Sequence, residues 1–406
     1  MRKPLFAVLA LSLAVAACGS DDDSSSDTDP EATPTEAPST AGTTDESEPA
    51  PQGDERTQRA IDAGTAAALG EADLPSDITI GAISLAPIEI IQRIDDEMTR
   101  ATEAIGWEYV SCDGQGTPEV MQTCGDSLLN QGVDALILTV IEPSFITPQL
   151  EQAKEMGIPV INVAGIINDD PELIAAQLSP AERELELTAA LNEYVFEQLA
   201  LRDEGDGTEL SYSWFPLSAG ELRRQQLEAD LENQANVSVV ATSENDMADF
   251  AGDARANTSA VLQANPDIDA FWEAAAPNII PVADVVAQQF GEVRYPERPL
   301  IVGHLDDLQN LETIRSGRAD AIGTYPVTID AWVAVDQLAQ FFAREDYEFE
   351  RNATEESERV YGLTFAEYEV ITEDNLPPAG EYVPVKEDVP AFFAAKWASE
   401  FGITPG

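Results

Sequence analysis

The chain alternates between two hydrophobic patterns from residue 78 onward. Short apolar runs, such as "ITIGAISL" (78–85) and "DALILTV" (134–140), have the length and composition of buried β-strands. The longer segments between them carry an apolar residue at every third or fourth position, and the segment 88–106 ends at a glycine. Strands that alternate with amphipathic helices at this spacing predict βαβ units with right-handed crossovers and a parallel sheet.

The alternation occurs in two consecutive series. The first series ends with "IPVINVA" (158–164), and the second begins with "ELSYSWF" (209–215). The second series continues through the apolar runs "VSVVATS", "AFWEAA", "LIVGHL" and "AIGTYP". Two such series in succession predict an α/β fold of two lobes, each built on a parallel sheet.

The N-terminus has the pattern of an export signal. Arg2 and Lys3 precede the apolar run "LFAVLALSLAVAAC", which is shorter than a membrane span. The end of this run, "VAAC", resembles a bacterial lipobox, which implies a signal peptide over residues 1–18 and an acyl chain on Cys18. The alternative is a plain signal peptide that is cleaved after the alanines.

Residues 19–75 contain no aromatic side chain and are dominated by Ser, Thr, Pro and acids. Such a segment buries too little apolar area to offset the entropy lost on ordering, so we expect an acidic, disordered tether. Within it, "ERTQRAIDAGTAAALG" (55–70) has the weak pattern of a short helix.

Charge narrows the choice of partners. The 406-residue chain has 76 acidic and 21 basic residues, a formal net charge of −55, which excludes nucleic acid as a plausible partner. Because the acids are spread through the whole chain, they indicate a saline habitat or a need for solubility and do not require a cationic ligand.

Two cysteines remain once Cys18 is assigned to a lipid. Cys112 ends the predicted strand "WEYVSC", and Cys124 lies early in the helix that follows. In an exported chain such a pair predicts a disulfide, with two free buried thiols as the alternative. No histidine lies near enough in sequence to favour a metal site.

In their order and spacing these segments resemble the periplasmic sugar-binding family, the ribose- and galactose-type solute-binding proteins of ABC importers. The resemblance covers about residues 77–375. Its landmarks are "GVDALILTVIEPSFITPQLEQAKEMGIPVINV", "NPDIDAFWEAA", "LIVGHLDD" and "YEVITEDN". The resemblance implies the type I periplasmic-binding-protein fold, in which three crossovers join two Rossmann-like lobes with parallel sheets around a ligand.

The crossovers divide the chain into discontinuous lobes. The resemblance predicts an N-terminal lobe from residues 76–178 and 325–365. It predicts a C-terminal lobe from residues 179–324 and 366–406, the latter including a C-terminal helix that the family's short form does not need.

The family pattern also predicts which residues line the cleft. These candidates are Leu85, Pro87, Glu89, Ile90, Phe145, Ala164, Gly165, Trp214, Phe215, Arg223, Trp272, Ala275, His304, Asp306 and Tyr325. Arg223 falls where the family carries a ligand-binding arginine, and Arg224 is the alternative. His304 and Asp306 are expected as polar contacts at the cleft rim, since a single histidine without further ligands is poor evidence for a metal or a general base.

The candidate cleft departs from the sugar-binding pattern. Where sugar-binding members carry an Asp-Arg pair, this chain has Ala164 and Gly165, and Ala275 and Ala276 stand where Asn and Asp are usual. A sugar needs a partner for each desolvated hydroxyl, so this cleft favours a ligand with more apolar or planar surface and few polar groups.

Two function classes follow from these observations. The first is a lipid-anchored solute-binding protein that delivers a small molecule to an ABC permease at the outer face of the cytoplasmic membrane or in the periplasm. The second is a sensory lipoprotein that presents its ligand-bound state to a membrane receptor or kinase. In either class we expect a monomer without cofactor or metal, and no catalytic set that would indicate an enzyme can be assigned in the sequence.

Overall fold

A computed structural model describes residues 52–165, 172–202, 205–365 and 368–403. The helices are α1 (Gln52–Ala66), α2 (Glu89–Ala104), α3 (Pro118–Gln131), α4 (Thr147–Met156), α5 (Ala181–Arg202), α6 (Ser218–Leu231), α7 (Phe250–Ala264), α8 (Ile279–Phe290), α9 (Leu308–Arg315), α10 (Ile329–Ala343), α11 (Ser357–Tyr361) and α12 (Val389–Phe401). The strands are β1 (Thr79–Ser84), β2 (Glu108–Asp113), β3 (Ala135–Thr139), β4 (Val160–Val163), β5 (Ala176–Gln177), β6 (Thr208–Trp214), β7 (Val237–Glu244), β8 (Ala270–Glu273), β9 (Leu300–His304), β10 (Ala321–Thr324) and β11 (Glu369–Thr372). Short 3₁₀ turns cover Pro143–Phe145 and Ala276–Asn278.

The strands form two sheets. The first sheet has the order β2-β1-β3-β4-β5 and is parallel throughout. The second has the order β11-β10-β9-β8-β6-β7, in which only β11 runs antiparallel to its neighbour. The α/β fold with two lobes and parallel-dominated sheets is therefore confirmed.

The central strands are covered on both faces. Every residue of β3 and of β9 is buried, which explains why these strands are continuous apolar runs in the sequence. Local signals set the helix limits: α3 has Pro118 in its first turn, and α3 and α4 end at Gly132 and Gly157 in the left-handed conformation.

The chain passes between the sheets at three places next to one another. It leaves the first sheet after β5, returns after β10, and enters the second sheet again before β11. The helix α10, which follows β10, packs against α2 and β4, whereas α5, which follows β5, packs against α6, β10 and β11.

Helix α12 packs on the first lobe. This corrects the expectation that residues 366–406 belong to the second lobe. The helix packs against α1 and α10. Its aromatic residues Phe392, Phe393 and Trp397 are buried, and the Trp332 ring on α10 stacks on Trp397 at 5.8 Å between centroids. This apolar face explains the correction, because it is covered by α1, by α10 and by the rings of Tyr361 and Phe365.

Helix α1 corrects the predicted extent of the tether. Residues 52–66 form a helix whose Ala60 is buried, and a Cβ on Gly64 would collide with the Phe392 backbone of α12. The Arg59 side chain pairs with Glu387 at 2.9 Å. A single helix of this length is marginally stable by itself, so α1 depends on its packing against α12. The Glu387 contact, just before α12, lies 328 positions from Arg59 in the chain.

The predicted disulfide is confirmed. It joins Cys112 at the end of β2 to Cys124 in α3, with a Cα–Cα distance of 5.6 Å. The bridge closes the loop that contains Gly116, whose φ of +67° favours glycine and where a Cβ would collide with the Met247 carbonyl of the other lobe. Cys18 lies outside the described residues.

Candidate functional site

A small cavity lies between the lobes, at the carboxyl ends of strands from both sheets. Its volume is about 60 Å³. The lining residues are Leu85, Ile88, Ile90, Ile91, Ile94, Val140, Ala164, Glu184, Phe215, Ala219, Arg223, Phe250, Ala275, Ala276, Pro277, Leu305, Tyr325 and Val327. Because ligand pockets usually measure about 300–1,000 Å³, the lobes are closed on each other here.

Three lining residues have strained backbones. Val140, Ala164 and Leu305 directly follow β3, β4 and β9, and their φ angles are +59°, +51° and +72°. Left-handed backbone costs an alanine or a larger residue about 1–3 kcal/mol, most for a β-branched one such as Val140. Such strain concentrates at functional sites, where the surrounding structure holds the chain in position.

The polar groups of the cavity are already paired with one another. Arg223 on α6 donates through Nε to the Glu184 carboxylate at 2.5 Å and through Nη1 to the Ala274 carbonyl at 2.6 Å. The second Glu184 oxygen accepts from the Tyr325 hydroxyl at 2.9 Å. Burial raises the pKa of Tyr325 well above its ordinary value, so its hydroxyl stays a donor. These two bonds use two of the five N–H donors of Arg223, so one N–H on Nη1 and both on Nη2 remain for a ligand.

This polar group is continuous with the crossovers. The Arg183 guanidinium lies 4.6 Å from the centre of the Tyr325 ring. Arg183 is buried and binds the Asp330 carboxylate at 2.9 Å and the Ser179 hydroxyl at 3.0 Å. Residues from two crossovers are thus joined next to the cavity, and a ligand that contacts Tyr325 touches the hinge directly.

Two carboxylates of the first lobe contact helix N-termini of the second. Glu89 accepts from the Leu308 amide of α9, and Glu142 accepts from the Ser218 amide of α6, each at 2.6 Å. Each carboxylate also opposes the positive end of its helix. Burial raises the pKa of Glu142, while its hydrogen bonds with Ser218 lower it. These contacts hold the lobes together on both sides of the cavity.

The family model described as the periplasmic binding protein domain matches residues 82–345. The chain belongs to this family. Periplasmic binding proteins are extracytoplasmic binding proteins and not enzymes, and the sugar-binding resemblance noted in the sequence is confirmed. No curated protein matches the chain.

Solved structures of periplasmic binding proteins share the fold at low identity. An ABC transporter solute-binding protein from Burkholderia graminis, in complex with D-arabinose, has a TM-score of 0.62 at 16% identity, with 75% of this chain and 98% of that chain covered. The 5-methylthioribose transporter solute-binding protein from Thermotoga lettingae has a TM-score of 0.59 at 13% identity, with coverages of 74% and 87%. The fructose-binding periplasmic domain of a hybrid two-component system has a TM-score of 0.60 at 18% identity, with coverages of 74% and 92%.

Seven of the residues expected in the cleft of this periplasmic binding protein line the cavity. They are Leu85, Ile90, Ala164, Phe215, Arg223, Ala275 and Tyr325. The two adjacent arginines, Arg223 and Arg224, have different surroundings. Arg224 faces away from the cavity, where it pairs with Glu221 and Glu228 and lies 5.0 Å from the Trp214 ring centre.

His304 and Trp272 lie in the core and not at the rim of the cleft. Both are fully buried, and their rings meet edge to face at 5.0 Å. The imidazole contacts the Thr188 hydroxyl and the Glu273 carbonyl, and burial lowers its pKa well below the ordinary value. His304 is therefore a neutral core residue.

The remaining candidates take structural positions around the cavity. Asp306 bonds Arg93 of the other lobe at 3.2 Å, and Glu89 caps α9 as described above. Phe145 packs against the core, and the Gly165 carbonyl accepts from Gln177. Pro87 is exposed.

Most of the apolar residues that line the cavity were not among those expected from the sequence. Ile91 and Ile94 belong to the apolar face predicted for the helical segment 88–106, and this face also lines the cavity. Glu184 was missed because a lone acid in an acidic helix carries no signal. Within the described ranges, no group of three or more His, Cys, Asp and Glu side chains could hold a metal, and no helix is both long and apolar enough to span a membrane.

Proposed function

We propose that this protein is a lipid-anchored solute-binding protein of an ABC importer, which closes its lobes around a small molecule. The observation that supports this function is the interlobe cavity, formed at strand ends of both sheets and bordered by strained residues. Lobe closure of this kind converts ligand binding into a shape that a permease can recognise.

We further propose that the ligand is not a free monosaccharide. The polar side chains of the cavity, Arg223, Glu184 and Tyr325, satisfy one another. Each sugar hydroxyl buried without a partner would cost about 1–3 kcal/mol, and two or three such losses weaken binding by orders of magnitude. The solved relative that binds 5-methylthioribose shows that this fold accepts a ligand with an apolar substituent.

The charge on Arg223 also bears on the ligand. Because Glu184 already neutralises it, an anionic ligand would add an uncompensated charge to a buried site. A neutral acceptor, such as a carbonyl, suits the remaining N–H donors of Arg223. We therefore propose an uncharged or weakly polar compound with a substantial apolar portion.

Native mass spectrometry of freshly purified protein tests this proposal by detecting a co-purified molecule. A thermal-shift screen then compares ribose, galactose, glucose, xylose and arabinose with neutral amphipathic compounds, since a ligand that binds only the folded state raises Tm. A clear shift with a simple sugar at micromolar concentration would overturn the ligand class.

The adjacent arginines provide a matched pair of variants. Arg223→Lys keeps a positive charge opposite Glu184 but removes the planar fork, and it should weaken ligand binding about tenfold. Arg224→Lys, outside the cavity, should leave the affinity unchanged. Equal affinities for the two variants would contradict the role of Arg223.

Membrane anchoring through Cys18 rests on the lipobox pattern "VAAC". Expressed in a bacterium, the wild type should enter the detergent phase, whereas Cys18→Ala should remain in the aqueous phase. The same partitioning for both would refute acylation.

Sensing is the second candidate function, favoured by the solved fructose-binding domain of a two-component system. Deletion of the gene separates the two candidates. Loss of ligand uptake supports import, whereas intact uptake with a lost transcriptional response supports sensing.

A further inference from the structure

The segment between β11 and α12, residues 373–388, connects the two lobes a fourth time. We call it the C-terminal strap. It begins at β11, in the second sheet, and ends at α12, which packs on the first lobe. The strap lies outside the residues 82–345 that match the family model.

Both ends of the strap are fixed. At its start, the Arg315 guanidinium on α9 of the second lobe donates to the Pro377 carbonyl at 2.5 Å. At its end, Arg56 of α1 donates to the Val385 carbonyl at 3.0 Å, and Thr57 donates to Asp388 at 2.6 Å. The strap therefore spans the lobe boundary under restraint from each side.

The middle of the strap lies where the lobes meet. The Arg93 guanidinium of α2 covers the Tyr382 ring at 3.6 Å from its centre, and the Tyr382 hydroxyl donates to Glu89 at 3.1 Å. The next residue, Val383, donates its amide to Asp306 of the second lobe at 3.3 Å. Arg93 and Asp306 are also paired with each other across the boundary.

We propose that the C-terminal strap is a latch that stabilises the closed arrangement of the lobes, with Tyr382 as its central contact. Opening of the lobes moves Asp306 and α9 away from Arg93 and Glu89. Tyr382 and the adjacent Val383 then cannot keep their contacts with both lobes. The Tyr382 phenol remains a donor over the physiological range, because burial and the neighbouring Glu89 raise its pKa to about 12.

Amide hydrogen exchange measures this opening without any ligand, so it is independent of the proposed function. The Ser218 amide bonds across the cleft to Glu142, and it is remote from the strap in sequence and in contacts. In Tyr382→Ala the cation–π contact and the hydrogen bond are lost, and exchange at Ser218 should accelerate about fivefold or more. Tyr382→Phe, which loses only the hydroxyl, should give a smaller increase.

Exchange at Ile137 in the buried strand β3 is the internal reference and should not change. An unchanged Ser218 rate in Tyr382→Ala would overturn the latch. An equal acceleration at Ser218 and Ile137 would overturn it too, because the substitution would then loosen the fold and not the lobe boundary.

Cutting the strap gives a second test that keeps Tyr382. Pro378, Ala379 and Gly380 are exposed, so a protease site inserted after Ala379 can be cleaved in the folded protein while α12 stays anchored. Cleavage should accelerate exchange at Ser218, whereas cleavage at a site inserted after Gln234, in a loop within the second lobe, should not. Identical exchange in both cleaved proteins would contradict the proposal.

Discussion

Glu273 is a buried acid whose replacement should stabilise the protein in a pH-dependent way. It ends β8, and its carboxylate accepts hydrogen bonds from Ser213 and from Asn278. Burial raises its pKa from 4.5 to about 7, although both hydrogen bonds oppose this shift. We expect Glu273→Gln to remove the cost of a buried negative charge.

The pKa shift sets the size of the effect. Between pH 4.5 and about 7 the folded state binds more protons at Glu273 than the unfolded state, so the free energy of unfolding falls as pH rises through this window. At about 1.4 kcal/mol per pKa unit, the full penalty above both pKa values is roughly 3 kcal/mol. From about pH 5.5 to 8.5 it grows by roughly 2 kcal/mol.

Denaturant unfolding of both proteins at these two pH values measures the effect. The stability of Glu273→Gln relative to wild type should increase by roughly 2 kcal/mol from the lower to the higher pH. Asp307, whose pKa burial and Glu89 also raise to about 7, is present in both proteins and cancels in the comparison. A difference independent of pH would refute the argument, since Glu273 would then titrate alike in both states.

Two further variants, one with a double and one with a single substitution, test the stability of the first lobe. Replacing Cys112 and Cys124 by serine should cost about 3 kcal/mol of unfolding free energy, and a reductant should lower the wild-type Tm; a Tm that does not respond to reductant would contradict this. Lys396→Met should destabilise by about 3–5 kcal/mol in denaturant unfolding, because it leaves buried carboxylates without their cation, including Asp336 at 2.8 Å. A loss below about 1 kcal/mol would show that these carboxylates find other partners.

The repeated pattern of strands and helices was predictable because buried parallel strands are apolar on both faces. The sequence also identified Arg223, Ala164 and Tyr325 among the cavity residues. It could not predict that Glu184 pairs with Arg223, since the facing sides of α5 and α6 are set by tertiary packing and not by a sequence pattern.

Buried polar residues account for the main errors in the site. His304 was expected as a polar contact at the cleft rim because of its place in the family landmark "LIVGHLDD". Its partners, a hydroxyl on α5 and a carbonyl of β8, exist only in the folded structure. The helices α1 and α12 show the same limit, because their periodicity was visible while the surface that they share was not.

The pairing of α1 with α12 has a consequence for the order in which the protein folds during synthesis. The contact between Arg59 and Glu387 joins residues 328 positions apart. Most of the second lobe, from α5 to β10, is contiguous in the chain and can fold before synthesis ends. The first lobe is complete only after α12 has been synthesised. A nascent chain that ends before α12 therefore exposes the apolar surfaces that α12 would cover.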